Sequence, residues 1–224
     1  MLCIKLSKEN LLRAYWLLRK RFGFQHWWPA KTKDEMLIGA ILTQNTSWKN
    51  VEKAIEGLRQ KNMLSLKAIA GSSLASIQSS IRPSGFYRQK AKRLKLFSNY
   101  IVANYSSIGN FFKQSKEPRK ELLGIEGIGN ETADSMLLYA GNIPIFVIDA
   151  YTKRILGRVF GISLEEMHYE EVQNLVMGLL PKDARLFNDF HAQFVELAKR
   201  YCKKNPACSE CPLSNVCSYH AEKK

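Results

Sequence analysis

The sequence predicts an all-α protein, and three observations support this fold class. Apolar residues recur at spacings of three and four along most of the chain, for example through residues 48–58, which is the period of an amphipathic helix. The segment that favours a strand, IPIFVI at residues 143–148, has no second strand to pair with, so we expect a buried extended link. A glycine-bearing turn, GIEGIG at residues 124–129, separates two further helical segments.

The predicted helices follow one another with short loops between them. Apolar positions within residues 11–22 mark the first helix, and Thr32 or Asp34 is the expected N-cap of the second. A long basic amphipathic helix is expected over residues 88–104, after a break at Pro83. Further helices are predicted over residues 48–58, between 73 and 83, and over residues 117–123, 130–140, 150–160, 165–179 and 184–202.

The chain is strongly basic, with 34 Lys and Arg against 20 Asp and Glu and a net charge of +14. Its basic residues cluster in RPSGFYRQKAKRLK, residues 82–95, and again from Lys199 to Lys204. This clustering favours a nucleic-acid partner over a merely solvated basic surface. The sequence has neither an apolar run long enough to span a membrane nor a signal-peptide core, so we expect a cytoplasmic protein.

The segment GIGNE, residues 127–131, predicts a contact with a phosphate backbone. Gly127 and Gly129 permit a tight reversal and leave open the backbone N–H groups of the helix that starts near Asn130. Those N–H groups and the helix dipole suit a phosphate oxygen. A plain αα-hairpin is the alternative for an isolated G-x-G. The flanking helices and the apolar residue between the glycines favour a helix-hairpin-helix, which binds DNA without reading its sequence.

Asp149 follows the apolar link and precedes the helical segment AYTKRIL. Aspartate is a favoured N-cap, so a capping role accounts for the residue by itself. Asp149 also lies 18 residues after Glu131, which is the length of one helix and one link. The chain can therefore return this carboxylate to the neighbourhood of the hairpin, and capping is compatible with catalysis.

Four of the five cysteines form a C-x5-C-x2-C-x5-C pattern near the C-terminus. Disulfides are disfavoured in a reducing compartment, and zinc sites more often use two separate C-x2-C pairs. One central C-x2-C with two wide flanks favours a [4Fe–4S] cluster. The expected ligands are Cys202, Cys208, Cys211 and Cys217, and Lys203 and Lys204 in the same loop suggest a DNA phosphate contact.

Several motifs together resemble the endonuclease III superfamily of helix-hairpin-helix DNA glycosylases, over nearly the whole chain. They are LLGIEGIGNETADSM followed by IPIFVIDAYTKRIL, the segments ILTQNTSWKNVEKAIEGL and SGFYRQKAKRL, and the cysteine loop. WWP at residues 27–29, LTQNT at 42–46, RPSGFY at 82–87 and GIGNE resemble the 3-methyladenine DNA glycosylase III subfamily. Two departures are that the first cysteine gap is five residues rather than the common six, and that this subfamily's known member lacks the cysteines.

The resemblance implies the activity of a base excision repair glycosylase with Asp149 as its catalytic carboxylate. Bifunctional members carry a lysine at the position of Glu131, and a carboxylate cannot form the Schiff base needed for strand cleavage. We therefore expect a monofunctional enzyme without AP-lyase activity, in which water is the nucleophile. Asp149 would stabilise the oxocarbenium-like sugar, while Gln44 and Asn45 lie where the family inserts a side chain into the gap left by the flipped base.

The predicted substrate is an alkylated purine such as 3-methyladenine. Trp27, Trp28, Pro29 and Trp48 match pocket residues of that subfamily, so the resemblance implies that they form the base pocket, where electron-rich rings would attract a cationic base. Core packing is the alternative interpretation of Trp48, which continues the apolar stripe of its helix. Adenine excision opposite oxidised guanine would require an acidic residue at Gly39, and oxidised pyrimidine or mismatch excision remains the second hypothesis. Two other classes of function stay open: a non-catalytic module that binds damaged DNA, and a redox sensor built around the cluster.

We expect two helical lobes in a monomer that binds double-stranded DNA. One lobe is predicted over residues 26–143 and ends in the helix-hairpin-helix, about residues 117–141. The other combines residues 1–25 and 144–224, and carries Asp149 and the cluster loop at 202–217. A nucleoid-associated protein of a prokaryotic cell fits these expectations.

Overall fold

The computed structural model describes residues 5–222 and contains helices but no strand within that range. The all-α fold class is therefore confirmed. The chain divides into two compact units. One unit is Trp28–Gly141, and the other joins Met1–Trp27 to Asn142–Lys224. Cys3, which sequence reasoning left out of the cysteine cluster, lies outside the described residues.

The unit Trp28–Gly141 contains eight α-helices. Their bounds are α2 Lys33–Leu42, α3 Trp48–Gln60, α4 Leu66–Gly71, α5 Leu74–Ile81, α6 Tyr87–Tyr105, α7 Ile108–Gln114, α8 Pro118–Leu123 and α9 Asn130–Ser135. A 3-10 turn, Arg82–Ser84, joins α5 to α6, and a π-helical segment, Met136–Ala140, continues α9. Helices α2 and α6 form its centre, with Leu37, Ile41 and Phe97 fully buried.

The second unit contains the remaining described helices. They are α1 Lys8–Phe22, α10 Ala150–Phe160, α11 Tyr169–Leu179, α12 Ala184–Arg200 and the short α13 Ser218–Ala221, with a 3-10 turn at Ser214–Val216. Helix α12 packs on both α1 and α10. Phe187, Phe190 and Phe194 of α12 form the core of this unit, and removing such aromatic surface from water contributes about 2–3 kcal/mol for each ring.

Side-chain caps explain where many of these helices begin. The Thr32 hydroxyl accepts a hydrogen bond from the Glu35 backbone N–H, so Thr32 and not Asp34 caps α2. The Asp34 carboxylate instead accepts a hydrogen bond from the Leu66 N–H at 2.9 Å, and this bond holds the first residue of α4. The same local capping occurs at Ser7, Ser65, Ser73, Ser107, Asp149 and Asp183.

The predicted extended link between residues 141 and 150 is present and has no strand partner in the described chain. Side chains of α11 satisfy its backbone instead. The Gln173 amide donates to the Phe146 carbonyl at 2.7 Å, and the Ile148 N–H donates to the Tyr169 hydroxyl at 3.2 Å. Since buried backbone groups need partners, these two bonds hold the residues that lead directly into Asp149.

Several helical assignments differ from the sequence prediction. Helices α4 and α7 were not predicted, because six or seven residues are too short to display an amphipathic period. Helix α11 begins at Tyr169 rather than at residue 165, since His168 and Glu171 form a capping box there. Within residues 5–222, none of the helices combines the length and apolar character needed to cross a membrane.

Candidate functional site

The hairpin between α8 and α9 is built around Gly127. This residue has a φ of +88°, and a Cβ placed on it would lie 2.5 Å from the Arg93 side chain. Both the backbone conformation and the close approach of Arg93 therefore require glycine. Gly129, by contrast, is the extended N-cap of α9 and has open space where a Cβ would be. The apolar Ile128 between the two glycines is buried and anchors the turn.

Hydrogen bonds from the Arg119 side chain stabilise this hairpin. Arg119 of α8 donates to both carboxylate oxygens of the fully buried Asp134 of α9, at 2.8 and 3.3 Å. The same guanidinium donates to the Asn130 side-chain oxygen at 3.3 Å. Asn130 thus contributes its side chain to the internal structure of the hairpin, while its backbone N–H lies in the first turn of α9.

Gln44 joins the hairpin to the end of α2. Its amide group donates to the Gly127 carbonyl at 3.1 Å and to the Thr132 hydroxyl at 3.0 Å, while its oxygen accepts from Arg93. Asn45 next to it has a φ of +51° and is exposed. The structure therefore brings Gln44 next to Gly127 of the hairpin, and the Gln44 side chain is fully engaged in hydrogen bonds there.

The RPSGFY turn holds a residue that sequence reasoning did not single out. Phe86 has a φ of +43° and exposes 64% of its surface, directly after Gly85 at +66°. A left-handed conformation is strained for a bulky residue, and an exposed aromatic ring is costly in water. Arg82 and Arg88 lie 5.9 and 5.8 Å from the neighbouring Tyr87 ring. The available signal was an aromatic residue after glycine in a basic segment.

The ammonium group of a buried lysine stabilises this turn. Lys90 of α6 exposes 1% of its surface and donates to the Ser84 carbonyl at 2.7 Å and to the Leu42 carbonyl at 2.9 Å. Burial, with a smaller contribution from the charge of Arg93, lowers the pKa of Lys90 to about 8. Lys90 thereby connects the RPSGFY turn to the end of α2, immediately before Gln44.

The predicted aromatic residues are divided between the two units. Trp28 lies 5.2 Å from Trp48 in an edge-to-face arrangement and 5.5 Å from Tyr139, which belongs to the π-helical segment. Trp28 and Trp48 are only half-buried, and with Pro29 they line a cavity that also borders Gly39. Trp27 belongs to the other unit, where the Lys199 ammonium lies 5.5 Å from its ring. Tyr139 was missed, because its spacing indicates only a helix.

Asp149 is the N-cap of α10, and each of its carboxylate oxygens has a polar neighbour. Oδ1 accepts from the Thr152 backbone N–H at 2.7 Å, and Oδ2 lies 3.6 Å from His191 Nε2 of α12. Burial alone raises the pKa of this carboxyl, but the charge and hydrogen bonding of His191 and the bonds from Thr152 outweigh it and hold the pKa below its ordinary value. The geometry therefore keeps a buried carboxylate ionised.

The four C-terminal cysteines line one cavity together with Val159, Leu197 and Leu213. They are reduced and half-buried. Burial, reinforced by the three neighbouring cysteines, raises the pKa of Cys211 to about 11, and burial likewise raises the pKa of Cys217. Among the described residues, no group of three or more His, Cys, Asp or Glu has the close arrangement that holds a single metal ion.

Helix α10 supports the cysteine loop with its own cations. Arg154 donates to the Cys202 carbonyl at 3.0 Å, and Arg158 donates to the carbonyls of Lys203 and Lys204 at 2.6 and 3.1 Å. The side chains of Lys203 and Lys204 are exposed. One helix of 11 residues therefore carries Asp149 at its beginning and contacts the cysteine loop from its later turns.

Comparison with known protein families identifies the chain. The model of the HhH-GPD superfamily of base excision DNA repair proteins matches residues 38–182, which include the hairpin and Asp149. The chain belongs to the HhH-GPD superfamily. The predicted resemblance to the endonuclease III superfamily is thereby confirmed.

Three relatives place this HhH-GPD protein among DNA repair enzymes. The protein named "Putative DNA repair glycosylase MJ1434" of Methanocaldococcus jannaschii is 43% identical, over 93% of this chain and 96% of that protein. Endonuclease III of Thermotoga maritima is 30% identical, over 90% and 89% of the two chains. The crystal structure of H. pylori 3-methyladenine DNA glycosylase (MagIII) bound to 1,N6-ethenoadenine is 33% identical, with a TM-score of 0.77, and covers 87% of this chain and 98% of that chain.

One position of this HhH-GPD protein decides what its hairpin cannot do. Glu131 is exposed in the first turn of α9, and its backbone carbonyl accepts from the Ser135 hydroxyl. A carboxylate in the first turn interacts favourably with the helix dipole. It carries no amine that could attack a sugar, so covalent Schiff-base chemistry has no nucleophile at this position.

Proposed function

We propose that this HhH-GPD protein is a monofunctional DNA glycosylase that hydrolyses the N-glycosidic bond of alkylated purines in duplex DNA. The observation that carries the proposal is the carboxylate of Asp149, which is buried yet ionised, accepts from the Thr152 N–H at Oδ1 and lies 3.6 Å from His191 Nε2 at Oδ2. Heterolysis of the bond sends its electron pair to the departing base and leaves positive charge on the sugar. A preorganised carboxylate stabilises that charge and accepts a proton from the attacking water.

The unit Trp28–Gly141 is proposed to bind the DNA backbone. The backbone N–H groups at the start of α9 follow Gly129, where a Cβ would meet open space, and Gly127 and Asn130 shape the turn that presents them. Gln44 and Asn45 adjoin this hairpin, and the exposed ring of Phe86 suits stacking against an unpaired base or base step. Lys203 and Lys204 of the other unit add exposed cations that suit phosphates.

The two hairpin glycines provide a test of backbone binding. Gly127→Ala is expected to lower the stability by about 1–3 kcal/mol, because it combines strained backbone with a clash against Arg93. Gly129→Ala meets open space, so stability should stay within about 0.5 kcal/mol while affinity for duplex DNA falls roughly tenfold. Thermal melting and DNA titration at fixed salt measure both effects.

Gly178→Ala in α11 is the matched control, since its Cβ also meets open space. The substitution should leave DNA affinity unchanged. Its only expected effect on stability is a small gain, because alanine has a higher helix propensity than glycine. If Gly129→Ala bound DNA as tightly as this control, the hairpin would not be the phosphate contact.

The preference for alkylated purines is supported by the aromatic cluster. Trp28 and Trp48 line one cavity, and the Tyr139 ring lies 5.5 Å from that of Trp28. A cationic N3- or N7-alkylated purine gains about 0.5–2 kcal/mol from each favourable ring. Trp27 and Pro29 adjoin Trp28 in sequence. Such bases are also good leaving groups, so a strong general acid is unnecessary. The H. pylori relative, named a 3-methyladenine DNA glycosylase, agrees with this substrate class.

The cysteine cavity is proposed to hold a [4Fe–4S] cluster. Burial first, and the three neighbouring cysteines in addition, raise the pKa of Cys211, so four thiolates in this cavity would be unfavourable without cations, and metal cations relieve that cost. The four sulfurs line one cavity, and the single central C-x2-C with wide flanks suits a four-iron cube better than a zinc site. Cys202, Cys208, Cys211 and Cys217 would be its ligands, and the group would supply a rigid support for the loop.

A panel of duplexes tests the substrate class. Each duplex carries one alkylated, oxidised, deaminated or mismatched base, and free base and strand breaks are measured separately. The proposal expects release of 3-methyladenine or 7-methylguanine without strand cleavage. Release of oxidised pyrimidines together with nicks would instead support the endonuclease III-like alternative, which the Thermotoga maritima relative represents. Tight binding without any release would indicate a damage-binding module.

The partner in this proposal is double-stranded DNA with a damaged base, bound by a monomer. A DNA repair role also places the protein in the cytoplasm with the chromosome.

A further inference from the structure

His191 is the one ionisable side chain at ion-pair distance from Asp149 among the described residues. It lies on α12, 42 positions along the chain from Asp149, and exposes 6% of its surface. Its Nε2 atom is 3.6 Å from Asp149 Oδ2, while Thr152 N–H occupies Oδ1. The imidazole therefore touches the proposed catalytic group from a different helix, within the same unit.

His191 counteracts the effect of burial on the pKa of Asp149. The side chain of Asp149 is only 15% exposed, and burial favours the neutral acid, which could neither stabilise a cationic sugar nor accept a proton from water. The opposing influences come from His191 and the Thr152 N–H, and together they lower the pKa of Asp149 despite its burial. Of these, the backbone N–H is available to any N-cap, whereas the imidazole comes from a different helix.

We infer that His191 is the positioning residue of Asp149, which keeps the carboxylate ionised and fixes the direction of Oδ2 during base release. This inference rests on the proposed function, in which Asp149 is the catalytic carboxylate. His191 acts through Asp149 and need not touch the substrate. An ion-pair partner at Oδ2 restricts rotation of the carboxylate, so the group meets the developing charge without reorganisation.

Other charged groups near α12 are engaged elsewhere. Helices α1 and α10 pack against α12. On α1, Tyr15 and Arg19 contact the Asp189 carboxylate, and the remaining ionisable side chains of α1 are exposed. The cations of α10 and the phenol of α11 bind backbone groups: Lys153 with Met167, Arg154 with Cys202, Arg158 with Lys203 and Lys204, and Tyr169 with Ile148.

Two substitutions of His191 separate charge from hydrogen bonding. His191→Leu keeps a similar volume but removes both, and His191→Gln keeps a side-chain N–H donor without the charge. The full-length protein is assayed under single turnover on a duplex with one alkylated purine, from pH 4.5 to 9, alongside its affinity for the same duplex. We expect His191→Leu to move the acid limb of the rate profile about one pH unit upward, which is roughly tenfold in rate on that limb.

His191→Leu removes the group that opposes the effect of burial on the pKa of Asp149. Asp149 then protonates at a higher pH, so the acid limb moves upward. DNA affinity should change less than about twofold, since His191 is buried and acts only through the carboxylate. His191→Gln should restore part of the rate and part of the shift. His168→Asn, which keeps an N-cap on α11 in the same unit, should leave the acid limb in place.

The inference and the proposed function fail in different ways. If Asp149→Asn abolished base release while both His191 variants kept the wild-type rate and acid limb, the inference alone would be wrong. If Asp149→Asn left base release intact, the proposed mechanism would be wrong whatever His191 does. A fall in DNA affinity that matches the fall in rate would show that His191 is merely structural. Should His191→Leu fail to fold, the acid limb of His191→Gln decides the question.

Discussion

Asp149→Asn is expected to reduce base release by roughly 10³-fold while leaving the protein folded and bound to DNA. The substitution removes the negative charge that would stabilise the oxocarbenium-like sugar and the basic oxygen that would receive the proton of water. A loss of this size corresponds to about 4 kcal/mol of transition-state stabilisation. Single-turnover release of free base and equilibrium DNA binding measure the two quantities separately.

Asparagine suits this test because it retains the second role of Asp149. Its side-chain oxygen can still accept from the Thr152 N–H, and asparagine is as good an N-cap as aspartate. Asp183→Asn is the matched control, since Asp183 caps α12 through bonds from Arg185 and Leu186 and has no proposed catalytic role. Equal rates for Asp149→Asn and Asp183→Asn would show that Asp149 is only a cap.

The ionised state of Asp149 also has a consequence for stability. Its pKa in the folded protein is below that in the unfolded chain, which is about 3.9. The carboxylate therefore contributes stability above that pH, and the contribution is lost as the pH falls through the folded value. The wild-type protein should thus lose more stability at low pH than Asp149→Asn does.

Cys211→Ser is expected to remove the iron–sulfur cluster and to destabilise the unit that contains it by roughly 3–5 kcal/mol. Cys211 lines the apolar cavity with the other three cysteines, and serine is a poor ligand for iron at neutral pH. The purified variant should lack visible charge-transfer absorption and bound iron and sulfide. Its melting temperature should fall by about 10 °C.

Loss of order in the cysteine loop is expected to affect helix α10 as well. Arg154 and Arg158 bind the backbone of residues 202–204, so a collapsed loop would release the later turns of α10, whose N-cap is Asp149. Base release should therefore fall as well. Cys3→Ser is the control for loss of a single thiol. Full iron content and an unchanged melting temperature in Cys211→Ser would contradict the cluster assignment, and DNA affinity that followed the cluster's oxidation state would favour the redox-sensor hypothesis.

Local patterns were sufficient for the features that depend on neighbouring residues. The helical period over residues 48–58, the glycine turn at 124–129 and the aspartate after an apolar link each reflect backbone geometry within a few positions. The lack of a second strand in the sequence likewise predicted the unpaired link before Asp149. Cysteine spacing predicted that four thiols share one cavity, because a short loop cannot separate them widely.

Features that depend on long-range packing were beyond such patterns. Nothing local marks Lys90 as buried beneath two carbonyls, Phe86 as strained and exposed, or Tyr139 as a neighbour of Trp28. Lys90 illustrates the reason: in sequence it is one of six cations between residues 82 and 95, and only the packing of α6 against the end of α2 removes it from water.

The family, most of the helices and the glycine hairpin can thus be read from the order of the residues, since each is specified by short-range backbone chemistry and its resemblance to known motifs, whereas the catalytic role of Asp149 stays a prediction. The low pKa of Asp149 depends on a histidine 42 positions away, and the shape of the hairpin depends on Arg93 of α6 and on Gln44 of the turn after α2. These partners become neighbours only when the helices pack, because side-chain contacts between distant segments are selected by the whole core and not by any local period.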